Sequence, residues 1–180
     1  PLTEPQLTLL KRLAKFTIAS ASQFLYKPCL FGCNRFRCER WTMRTLSMTQ
    51  YLDVEIYADI VCPWCYIGKK RLDAAFIERP QITPRYIWRC FLLNPSMPED
   101  GMSRQAYLVG KFGNSASAVY SRIASAGRQS GINFNFDRIK RTPDSRKTHR
   151  YLLAAAAMGS DLSDAFFKAY FIDGRDLGDE

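Results

Sequence analysis

The residues of this chain best suited to chemistry are Cys62-Pro63-Trp64-Cys65. Two thiols three positions apart on a helix lie on nearly the same face, close enough to close a disulfide. The nucleophile is the thiolate, and a free thiol with a pKa of about 8.5 is mostly protonated at neutral pH. The first turn of a helix corrects this, because its unpaired N–H groups and the positive end of its dipole favour an anion. Pro63 has no N–H to leave unpaired and its fixed φ suits a helix start. So placed, Cys62 attacks and Cys65, expected to be the more buried thiol, resolves a mixed disulfide, in either direction of transfer. The same spacing could also be half of a zinc site or an incidental pair of buried thiols. No second Cys-x-x-Cys stands in the chain to complete a zinc site.

The flanking residues supply the elements that this chemistry needs. Residues 52–61 alternate apolar and polar and then become apolar, which predicts a strand entering a buried sheet. Residues 66–79 follow with helical spacing, Ile67, Leu72, Ala75 and Phe76 on one side and Lys69, Lys70, Asp73 and Glu78 on the other, and Arg79-Pro80 ends the run. Residues 86–93 form a second predicted strand, in which Cys90 is a core thiol. Strand, helix and strand within about 40 residues make a βαβ unit with parallel strands.

The stretch Asp59-Ile60-Val61-Cys62-Pro63-Trp64-Cys65-Tyr66-Ile67-Gly68 resembles the active-site signature of the DsbA-like thioredoxin family, in its FrnE-like branch. That branch is related to 2-hydroxychromene-2-carboxylate isomerases and kappa-class glutathione transferases. Softer similarity runs through Phe91-Leu92-Leu93-Asn94-Pro95, Lys111-Phe112-Gly113, Gly131-Ile132-Asn133-Phe134, His149-Arg150 and Ala169-Tyr170-Phe171, so that it covers residues 48–180. The resemblance implies an α/β thioredoxin-like fold with an all-helical insertion, and a thiol–disulfide oxidoreductase in which Cys62 and Cys65 are the redox pair and Pro63 and Trp64 shape the active-site loop. Its substrates would be protein or small-molecule thiols and disulfides, with glutathione as one such thiol and no metal or bound organic cofactor. A glutathione-dependent isomerase or transferase is the alternative, although those relatives usually replace the cysteine pair.

Within this frame residues 48–94 are the βαβ unit and residues 95–180 the insertion. Helices are predicted over 103–112, 115–128, from Pro143 to Met158 and over 161–172. The run Tyr151 to Met158 is nearly all apolar and is expected to be buried, and Leu162, Phe166, Ala169 and Tyr170 are expected to face inward. Trp64, Phe112 and Phe134 are candidates for an apolar substrate face. His149, the sole histidine, and Arg150 are candidates for its polar lining. The basic cluster Arg138, Lys140, Arg141, Arg146, Lys147 and Arg150 reads first as a solvated face and second as an attractor for an anionic thiol. The family's sheet is completed after the insertion by further strands and a cis-proline loop. The sequence reading finds neither and expects a fold truncated before its C-terminal strands, with two strands, an open edge and an uncovered apolar face. On that expectation an inactive remnant is the rival to an enzyme.

Charge separates the remainder. The 180 residues carry 26 Lys/Arg and 17 Asp/Glu. Eight of those bases and two of those acids fall in residues 1–47, a net +6 out of +9. The body is only mildly basic and needs no nucleic-acid partner, and no apolar run is long enough for a membrane span. Residues 1–47 read as a basic leader, either poorly ordered or a targeting peptide. Its Cys29, Cys33 and Cys38 are too widely spaced and too few for structural zinc. With no secretory segment in view the expected compartment is the cytoplasm, or a mitochondrion or plastid if the leader is a transit peptide.

Overall fold

A computed structural model of the chain describes residues 50–179. The leader and its three cysteines lie outside the described residues. Strand β1 (Gln50–Ala58) runs into helix α1 (Pro63–Ile77), which returns the chain to strand β2 (Ile82–Cys90). The strands are parallel, in a register from Gln50 opposite Ile82 to Ala58 opposite Cys90, so the predicted βαβ unit is present.

Both strands begin and end earlier than their hydrophobicity predicts. β1 stops at Ala58 because Asp59 turns the chain: its Oδ1 accepts from the Val61 N–H at 3.2 Å and its carbonyl accepts from the Cys62 N–H at 3.1 Å. This is an Asx-type turn. Ile60 and Val61 are apolar because the turn itself is buried, not because the strand continues. β2 includes Pro84, opposite Leu52, which a strand with an open edge tolerates. It ends at Cys90, and three residues further on the Leu93 N–H donates to Asp59 Oδ2 at 2.7 Å.

One face of the β pair carries Tyr86 and Trp88 against the helices. The other face carries Tyr51, Asp53, Glu55, Tyr57, Arg85 and Arg89, all exposed, with ion pairs Asp53–Arg85 and Glu55–Arg89 at 2.6 Å. The uncovered face is therefore mixed, with charge pairs beside the exposed rings of Tyr51 and Tyr57 and the half-buried Ile87, rather than uniformly apolar as expected. Two side chains also change sides. Lys69 of α1 is buried, with Nζ 2.9 Å from both Asp73 oxygens and 4.3 Å from the centre of the Tyr86 ring, so its stem packs while its charge is paired. Cys90 is exposed rather than a core thiol, because Trp88 is the last residue of β2 to be covered.

The insertion is mostly but not wholly helical. A two-residue strand β3 (Met102–Ser103) pairs antiparallel with β4 (Arg141–Thr142) and closes off the segment between them. Between them lie helix α2 (Arg104–Phe112), capped by the Ser103 hydroxyl accepting from the Ala106 N–H, and helix α3 (Ala116–Gln129). Helix α4 (Arg146–Ala157) starts three residues later than Pro143, after a turn in which Asp144 Oδ1 accepts from the Arg146 N–H. It ends as predicted at Gly159, φ 76°, where Gly159 and Ser160 donate to the carbonyls of Ala156 and Ala155. Of its apolar run only Leu152 and Ala155 are buried; Tyr151, Leu153 and Met158 are exposed. Helix α5 (Ser163–Phe171) turns Phe167, Tyr170 and Phe171 inward, each 0% exposed, while Leu162 just before it is exposed.

An aromatic core results. Tyr66 of α1 stacks on Phe167 at 4.8 Å, Trp88 of β2 meets Phe167 edge-on, and Phe134 stacks on Phe136 at 4.8 Å while meeting Tyr66 and Phe171 edge-on. Gly127 of α3 makes room for this cluster: a Cβ there would stand 2.4 Å from Phe134 Cε2 and 3.1 Å from the Ile132 carbonyl. Gly127→Ala is therefore expected to destabilise by about 1–3 kcal/mol, the cost of overpacking, despite the roughly 1 kcal/mol that Ala gains in helix propensity. Urea denaturation checks the sign.

Candidate active site

Cys62 is the N-cap of α1 and Pro63 its first residue, as the chemistry requires. The Cys62 carbonyl accepts from the N–H groups of Cys65 and Tyr66 at 3.1 and 3.3 Å, which closes the first turn and sets both thiols on it. Both are free and half-buried, and Cys65 is the one packed against the hydrophobic core. They also differ in acidity. The Cys65 thiol, donating to the Cys62 sulfur, does most to hold Cys62 down at about 7; burial opposes this, and the backbone N–H groups of Cys65 and Trp64 support it. Cys65 is pushed strongly upward, first by the proton that it must keep to make that bond and then by burial. One thiol is poised to be a thiolate near neutral pH and the other holds its proton.

Asp59, 1% exposed, is the buried charge behind the pair. Burial alone would raise its pKa. Hydrogen bonds from His149, the Leu93 N–H, Ser145 and the Val61 N–H outweigh that and hold it below the usual carboxylate range. Its negative charge in turn pushes both thiols upward. His149 is 3% exposed, beneath this carboxylate rather than on a cleft wall. Trp88 Nε1–H donates to His149 Nδ1 at 3.4 Å, and His149 Nε2 is 3.5 Å from Asp59 Oδ1.

The other residues singled out in the sequence divide. Trp64 is 51% exposed beside the thiols. Phe134 is half-buried in the core against Tyr66, and Phe112 lies edge-on to Tyr120 at 6.0 Å. Arg150 is exposed. Several members of the basic cluster are engaged within the fold: Arg141 pairs with Asp176 at 3.2 Å, Arg146 with Asp144 at 3.3 Å, and Lys140 donates to the Asp137 carbonyl. Asp59 was not singled out as functional, although a lone acid in the apolar run Ala58 to Val61 was a visible signal for it. No signal marked Arg104 or Tyr120, and Tyr170 was expected only to face inward; the three meet through their side chains across the insertion.

A parallel βαβ unit with a Cys-x-x-Cys at the start of its helix and a helical insertion defines a thioredoxin-like scaffold. A family model for the DSBA-like thioredoxin domain matches residues 53–180, and the chain belongs to that family. Among solved structures it is similar to a probable DsbA oxidoreductase from Streptomyces coelicolor, with 29% identity and a TM-score of 0.61. The match covers 71% of this chain and 57% of that one, so the chain spans little more than half the length of this relative. No curated protein matches the chain. Among the described residues no helix is long and apolar enough to cross a membrane.

Proposed function

We propose that the chain is a thiol–disulfide oxidoreductase of the FrnE-like branch, acting on protein or small-molecule thiols and disulfides from a catalytic domain over residues 48–180. The observation that carries this reading is the split acidity of two thiols on one helical turn, with Cys62 lowered to about 7 and Cys65 raised. Cys62 is the nucleophile. Its thiolate attacks a substrate sulfur and expels the other half as a thiolate. Forming that bond takes away the acceptor of the Cys65 proton, and Cys65 then attacks Cys62, releasing reduced substrate and leaving the Cys62–Cys65 disulfide. External thiols, glutathione among them, return the pair to the dithiol. Run backwards, the same steps oxidise a dithiol substrate. Pro63 fixes the first turn, and the exposed Trp64 offers an apolar rest for the substrate chain. A reducing compartment suits such a pair.

The test is insulin reduction with dithiothreitol as electron source. The protein is expected to accelerate precipitation of the insulin B chain well beyond dithiothreitol alone; no acceleration by folded protein would overturn the reading.

A further inference from the structure

Arg104 is a buried charge that the thiol chemistry does not use. It is 6% exposed. Nη1 donates to Thr142 Oγ1 at 3.0 Å and to the Tyr170 hydroxyl at 3.3 Å, and Nη2 donates to the Tyr120 hydroxyl. The rings of Tyr107 and Tyr120 flank the guanidinium at 5.4 and 5.2 Å. None of these groups carries a charge, and among the described residues no carboxylate lies within ion-pairing distance of it. A buried cation is ordinarily paired, and a guanidinium has five N–H donors, of which these contacts use three.

Arg104 borders an open, solvent-facing cleft of about 460 Å³, wide enough to admit part of a small organic ligand. Ser117, Tyr120 and Ser121 of α3 line it with hydroxyls, and Phe134 and Phe136 with apolar rings. Asp137 also reaches the lining, but it is exposed and its charge is screened by water. The lining adjoins the thiol helix: Phe134 packs edge-on against Tyr66, the residue after Cys65, at 6.1 Å, and the pKa of the Tyr120 hydroxyl is raised first by burial and also by a charge on Cys62, which is felt there.

We propose that this cleft is a subsite for the carboxylate of a small organic thiol or disulfide, which pairs with Arg104 while its apolar body rests on Phe134 and Phe136 and its sulfur is presented to Cys62. The inference rests on the redox reading for its last clause only. In the covalent step the Cys62 thiolate attacks one sulfur of the bound disulfide, the ligand's S–S bond breaks, and the distal half leaves as a thiolate. Cys65 then gives up its proton and displaces the bound half as a second thiolate. Two electrons pass from the dithiol to the ligand, and the Cys62–Cys65 disulfide is left.

Stopped-flow reaction of the reduced full chain with two aromatic disulfides tests this: dithiobis(nitrobenzoate), which carries carboxylates, and dithiodipyridine, which is uncharged at neutral pH. Arg104→Gln is expected to lower the ratio of the anionic to the neutral rate constant by about tenfold, the worth of one charge-assisted pair. Ser121→Asp, which puts a like charge on the lining without disturbing the Arg104 hydroxyl contacts, is expected to lower it too, and benzoate is expected to compete with the anionic reagent alone. An unchanged ratio in both folded variants, with no competition by benzoate, overturns the subsite. If neither reagent reacts faster with wild type than with a free thiol, the redox reading of Cys62 fails instead. Benzoate titration followed by NMR then decides the subsite alone: saturable binding that Arg104→Gln removes supports it, and no binding overturns it.

Discussion

Cys62→Ser is expected to take insulin reduction down to the background of dithiothreitol alone, a loss of about a hundredfold or more, as befits removal of the attacking nucleophile. Cys65→Ser behaves differently. With the reductant removed, Cys62 is still expected to attack a disulfide substrate, but nothing then displaces it, so a mixed disulfide should accumulate and show in the intact mass as protein plus one substrate thiol. The contrast follows from the first turn of α1, where Cys62 is the acidic thiol and Cys65 the one that holds its proton. The reverse pattern, a trapped adduct in Cys62→Ser and none in Cys65→Ser, would exchange the two roles.

Asp59→Ala is expected to cost about 3 kcal/mol or more and to lower Tm by roughly 10 °C. The reason is what the carboxylate satisfies. It accepts from the N–H groups of Leu93 and Val61 and faces His149 Nε2, and none of these has another acceptor in the buried turn between β1 and α1. Asp59→Asn separates charge from contact, because it keeps an acceptor oxygen and removes the negative charge. It is expected to be milder in stability and to make Cys62 more acidic, since the Asp59 charge opposes the thiolate. The pH dependence has a definite sign. A carboxylate held below its ordinary value contributes stability that is fully present above the unfolded pKa of about 3.9 and is lost as pH falls through its lower folded value. Acid titration of wild type should show that loss, and Asp59→Asn should lack it.

The active-site turn was legible because its chemistry depends on local sequence. Cys62, Pro63 and Cys65 specify a helix start and a thiol spacing by themselves, and the flanking periodicities show a parallel βαβ unit. Hydropathy misled where a residue's burial depends on distant partners. The apolar Ile60 and Val61 sit in a turn held by Asp59, and the apolar run of α4 presents only Leu152 and Ala155 to the core. Lys69 is buried because Asp73 and Tyr86 receive its charge, which no helical period reveals. The short β3–β4 pairing joins residues about 40 positions apart with two residues per strand, too few to show alternation. Arg104 drew no notice because an arginine in the first turn of a helix is ordinary; its meaning comes from Thr142, Tyr120 and Tyr170, gathered from three other elements.

Site-resolved alkylation of the reduced protein by iodoacetamide across pH, read by peptide mass spectrometry, tests the central claim most directly. At a pKa of about 7 roughly half of Cys62 is thiolate at pH 7, against about 3% of an ordinary thiol. The Cys62 rate should therefore rise to a plateau with a midpoint near 7, while Cys65 stays unlabelled throughout. A Cys62 midpoint at the ordinary thiol value near 8.5, or equal labelling of the two cysteines, would contradict the account.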